Sequence, residues 1–126
     1  MAAARRISPG PEWNVALARL RKLDQLTKRW NGTPREVTEL DRAVGGATVA
    51  IDRFGQTLDR NGQMALTERT DDFVGCADAL LGFEKTTPTT DLTPVKSKQM
   101  AVSRKSLWRD LRRTLNSLKR HVEDLD

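Results

Sequence analysis

Six cations, Lys105, Arg109, Arg112, Arg113, Lys119 and Arg120, fall within sixteen consecutive residues near the end of the chain. Threaded between them, Trp108, Leu111, Leu115, Leu118, Val122 and Leu125 step by 3, 4, 3, 4 and 3 residues, the seam of an amphipathic helix. With that seam at heptad positions a and d, Lys105, Arg112 and Lys119 take e, Arg109 takes b, and Arg113 and Arg120 take f. These positions share one arc of roughly 100° beside the seam. Asp110 and Asp124 fall on the other flank. The row runs for about 22 Å at the rise of an α-helix. Segregated cations over that length can meet several phosphates of a nucleic-acid duplex, a contact blind to base sequence and sensitive to salt. The plainer reading is a solvated face, or pairing of the e cations with acids of the second and third segments. Cations late in a helix also oppose the negative end of its dipole. The plainer reading takes precedence on sequence alone.

Other residue types point to little chemistry. His121, the single histidine, occupies a g position beside the seam, where an edge residue is expected rather than a general base. Cys76, the single cysteine, lies near an apolar face and reads as an inert, buried thiol. Glu68, Asp71 and Asp72 share a helix face and read as a solvated acidic patch or a partner for arginines, not a metal site. The stretch "VGGATVA" lacks the lysine and the preceding strand of a phosphate-binding loop. No catalytic residue, metal ligand or cofactor is therefore expected, nor is base-specific readout.

The elements that must carry the cations are helices. The first segment opens at "SPGPEW", with Pro11 in its first turn, and its apolar stripe runs through Trp13, Ala16, Leu20, Leu23 and Trp30 to a stop at Asn31–Gly32. In the second, Thr33, Pro34 and Glu36 make a capping box, and Val37, Leu40, Val44, Ala47, Ile51, Phe54 and Leu58 form an unbroken seam across Gly45 and Gly46. Arg60–Gly62 is expected to end it. A third segment covers about Gln63 to Leu81. Residues 82–96, rich in Thr and Pro, read as a loop before a basic last helix that starts between Pro94 and Ser103. No strand pattern is visible.

All 126 residues suit one domain, with residues 1–10 as a flexible start. The hydrophobic fraction is 37% and the charged fraction 31%, a balance that favours a folded helical protein over disorder. No stretch is apolar enough to span a bilayer. The basic start lacks the apolar run of a secretory signal, and a lone cysteine forms no intrachain disulfide, so a cytoplasmic setting is expected. Charge is uneven along the chain. Residues 1–32 carry seven cations and two acids, residues 33–91 six and eleven, and residues 92–126 nine and four.

Two resemblances are visible. Trp30-Asn31-Gly32, between two helical patterns, resembles the Trp-x-Gly turn of the small secreted WXG helical hairpins, over those three residues and the hairpin context. The final "LRRTLNSLKRHVEDLD" is similar in rhythm to helices of syntaxin N-terminal three-helix domains, through the heptad itself. Neither carries a function onto this chain.

The expected fold is all-α, a three- or four-helix antiparallel bundle with coiled-coil-like heptad seams. The expected function is a non-catalytic helical interaction module, an adaptor or complex subunit, bound to a protein partner or to a second copy of itself. The alternative is sequence-independent binding of a double-stranded RNA or DNA backbone. A membrane surface is the weakest of the three partners, because the seam is narrow and lacks the wide apolar face of a surface-lying helix.

Overall fold

A computed structural model describes residues 10–86 and 93–125, and all its regular structure is helical: α1 (Pro11–Thr27), α2 (Pro34–Gly55), α3 (Arg60–Thr86) and α4 (Pro94–Asp124). Each helix begins where its sequence supplies a start. Pro11 occupies the first turn of α1 beside Glu12, whose charge suits the positive end of the dipole. The capping box of α2 is present in full: the Glu36 N–H donates to Thr33 Oγ1, and the Glu36 carboxylate accepts from the Thr33 N–H. Thr93 caps α4 by accepting from the Lys96 N–H at 3.2 Å.

α1 packs against α2 and α4, and α3 packs against the same two, so the helices form a four-membered ring. Neighbours run antiparallel. Trp13, at the start of α1, bonds to Val122 at the end of α4, and Trp108 of α4 bonds to Thr27 at the end of α1. Lys85, late in α3, pairs with Asp41, early in α2. The chain is thus the four-helix antiparallel bundle that its seams predict. Its core is built from those seams: Leu20 and Leu23, Leu40 and Phe54, Phe73 and Leu80, and Leu111, Leu115, Leu118 and Val122 are all buried.

The second helix is continuous across Gly45 and Gly46, as the phase of its seam requires. Close approach of a neighbour does not account for Gly45: a Cβ there would meet nothing within 4 Å, and at Gly46 it would meet only the guanidinium of Arg19. Other boundaries differ from the sequence reading. α2 ends at Gly55, and Leu58 is buried in the turn that follows. Arg60–Gly62, expected to terminate α2, is instead the first turn of α3. Asp59 explains this, since its Oδ1 accepts from the Gly62 N–H at 2.7 Å and caps the new helix. The loop expected over residues 82–96 is shorter as well. α3 continues through Gly82 to Thr86 and α4 begins at Pro94, because Phe83 and Glu84 find partners on α4. Residues 87–92 lie outside the described residues, as do residues 1–9 of the expected flexible start.

α4, with 31 residues, is much longer than α1, with 17, a difference of about 21 Å at 1.5 Å per residue. Its seam begins only at Leu107 and Trp108. Upstream, the positions in phase are Pro94, Ser97, Ala101 and Arg104, which offer little to bury. The leading turns of α4 are accordingly exposed from Thr93 to Ser103, apart from half-buried Met100.

Candidate functional site

On an isolated wheel the six cations of α4 share one arc, but the bundle separates them. The e positions turn toward α1. Arg112 meets Asp24 Oδ1 at 2.7 Å and also donates to the Asp24 carbonyl and to Thr27 Oγ1. Lys119 lies 3.7 Å from the same carboxylate. The acid that receives Arg112 and Lys119 therefore belongs to α1, not to the second or third segment as expected. α1 has no basic residue in its own last turn. Its terminal carbonyls are satisfied from α4 instead, by Arg112 and by the Trp108 Nε1–H, which donates to the Thr27 carbonyl at 2.7 Å. Trp13 returns the arrangement, donating to the Val122 carbonyl near the end of α4 at 2.8 Å.

The remaining four cations are open. Lys105, Arg109 and Arg120 are exposed without an ion pair among the described residues, and Arg113 is exposed with only a loose contact of 3.7 Å to Asp110. Lys105 stands at a groove between α1 and α4 with Lys28, Arg29 and Arg104, walled by Trp30 and Trp108. Arg113 and Arg120 turn the other way, into a groove shared with Arg69 of α3, Asn116, Ser117, His121 and Asp124. Arg109 lies between the two.

No protein-family model, curated protein or solved structure matches this chain.

Tertiary contact also adds residues that the sequence reading passed over. Glu84 sits within the stretch read as a loop, yet its side chain is only 2% exposed. It accepts from the Trp30 Nε1–H and from Nε and Nη2 of Arg104, each at 2.8 Å. Arg104 also lies over the Phe83 ring. This cluster ties the α1–α2 connection to α3 and α4. It holds Trp30 and Arg104 as one wall of the first groove. Nothing in the local pattern around Glu84 signals it, because its partners are 20 and 54 residues away along the chain.

His121 is half-buried at the second groove, and its Nε2 has no hydrogen-bond partner among the described residues. Burial, reinforced by the charge of Arg69, holds the imidazole below its ordinary pKa, with Asp124 pulling weakly the other way. Cys76 is half-buried against the core. Glu68, Asp71 and Asp72 are exposed, and no group of three or more His, Cys, Asp or Glu side chains that could hold a metal ion occurs among the described residues. No helix there is long and apolar enough to cross a membrane.

Proposed function

We propose that this chain is a non-catalytic interaction module that holds a polyanionic macromolecule, a nucleic-acid backbone, along α4 and the adjoining end of α1. One observation carries the reading: α1 and α4 are neighbours, so the two basic ends of the chain form a single side of the bundle. α1 with Lys28 and Arg29 contributes five cations against two acids, and α4 nine against three. α2 and α3 form the opposite side, with six cations against nine acids. This side of the molecule is also poor in exposed apolar groups between Leu107 and Asp124, and a protein interface needs such groups at its centre. A phosphate backbone needs only charge and donors. A cytoplasmic setting belongs to the same proposal.

A second reading, docking of a protein or of a second copy, is favoured by one feature. Val95 and Val102 lie seven residues apart on one face of the projecting start of α4, and they are 66% and 64% exposed.

The test is fluorescence anisotropy with labelled RNA and DNA duplexes and with polyglutamate, at 50 and 200 mM salt, with light scattering for mass. The expected result is duplex binding without base preference that weakens about 100-fold between the two salts, as four phosphate contacts require. Absence of duplex binding at 50 mM would overturn the reading. Assembly lost on replacing Val95 and Val102 with Ser would support the second.

A further inference from the structure

The groove between α3 and α4 poses an electrostatic problem. Arg69, Arg113 and Arg120 line it from two helices, and the one carboxylate beside them is Asp124. Arg69 and Arg120 have no ion pair among the described residues, and the only one made by Arg113 is its distant contact with Asp110. Three guanidiniums directed to one concavity repel each other, and nothing in the fold of α3 calls for a cation there. Around Arg69 the exposed charges of α3 are acidic, at Glu68, Asp71, Asp72 and Asp78, and its other cations, Arg60 and Lys85, stand near its two ends. Asn116 and Ser117 add neutral donors to the same wall.

We propose that this groove is a phosphate seat, in which Arg69, Arg113 and Arg120, with Asn116 and Ser117, hold one backbone phosphate of the bound strand. The inference rests on the proposed polyanion reading and names where a strand is gripped. Guanidinium forks match the paired oxygens of a phosphate, and charge-assisted bonds of this type are stronger than neutral ones. A phosphodiester keeps two terminal oxygens and a full negative charge, so it can accept from more than one arginine at once. The open cations Lys105 and Arg109 would follow the same strand along α4. Arg69 is the distinguishing residue, because it lies on α3, outside the basic row that any helix wheel of α4 would select.

His121 is the reporter. It lines the groove, and as the single histidine it yields one set of imidazole signals. The full chain, labelled at its histidine ring, is titrated with a duplex RNA and separately with inorganic phosphate while those signals are followed by NMR. Duplex affinity is measured in parallel for wild type, Arg69→Gln and the more exposed Arg120→Gln, with folding checked by amide spectra. We expect the duplex to shift the His121 signals. Each variant should lose about tenfold in duplex affinity, equivalent to ~1.4 kcal/mol, and its salt slope should fall by about one. Duplex binding that leaves His121 unmoved and is unaffected by either folded variant would overturn the seat while leaving the polyanion reading intact. Absence of duplex binding, with inorganic phosphate shifting His121 in wild type but not in Arg69→Gln, would overturn the polyanion reading and assign the seat to free phosphate. No response to either probe would overturn both.

Discussion

At the scale of single residues, the bundle is held at one end by a polar cluster around a glycine. Gly32 has φ +74°, and a Cβ there would collide with the Glu84 carboxylate and the Arg104 guanidinium. A non-glycine residue in the left-handed region costs ~1–2 kcal/mol, and the collision adds to it. Gly32→Ala should therefore destabilise the protein by more than ~2 kcal/mol in urea melts, and a smaller loss would show that Glu84 is not fixed there. His121 makes a prediction about pH. Its folded pKa lies below the unfolded value, so folding favours the neutral ring. That contribution is fully present above the unfolded pKa of about 6.5 and is lost as pH falls through the folded pKa. Stability should decline on acidification below about pH 6.5, and His121→Gln should flatten this part of the curve while leaving the carboxylate-driven decline at lower pH.

At the scale of helices, α1 and α4 terminate each other. The last carbonyls of α1 accept from Trp108 and Arg112, and a carbonyl near the end of α4 accepts from Trp13. Trp108→Phe keeps most of the buried ring and removes the donor. It should cost ~1–3 kcal/mol, the penalty for leaving a partly buried carbonyl without its partner, with the loss visible as faster amide exchange in the last turn of α1. Helix interiors also contain glycines that packing does not need. A Cβ at Gly45 or Gly75 would meet nothing within 4 Å. Gly45→Ala and Gly75→Ala should each stabilise by ~0.5–1 kcal/mol in chemical denaturation. A loss at either site would reveal a contact made in an assembly.

At the scale of the molecule, the decisive feature is the sorting of charge between the two sides of the ring. Reversing Lys105, Arg109, Arg113 and Arg120 to Glu spares Arg112 and Lys119, which hold Asp24 and would be missed by the fold. The fourfold variant should remain helical by circular dichroism, because none of the four positions is buried. Its duplex binding should collapse at every sequence tested, since four attractions become four repulsions. Duplex binding that survives in the folded variant would remove these four cations from the mechanism and leave Arg69 and the basic residues of α1, Lys28 and Arg29 among them, as the candidates.

Much of this was legible in the sequence, for a physical reason. Seams such as Val37 to Phe54 and Trp108 to Val122 are local patterns, and burying such stripes leaves few arrangements other than helix against helix. The Thr33–Glu36 capping box is likewise local. The α2–α3 boundary is not legible locally, because Asp59 as a cap and Asn61–Gly62 as a stop are competing signals, and only packing of Leu58 and Leu66 into one core chooses between them. The sequence also determined that cations cluster at both ends of the chain and along one arc of the last helix. It could not determine that the arc divides, with Arg112 and Lys119 held by Asp24 while Arg113 and Arg120 share a groove with Arg69. Nor could it show that the two basic ends lie side by side, or that Glu84 joins Trp30 to Arg104. Those outcomes depend on which helices become neighbours. That is set by burial of all four seams together, a property of the ring that no single stretch of residues contains.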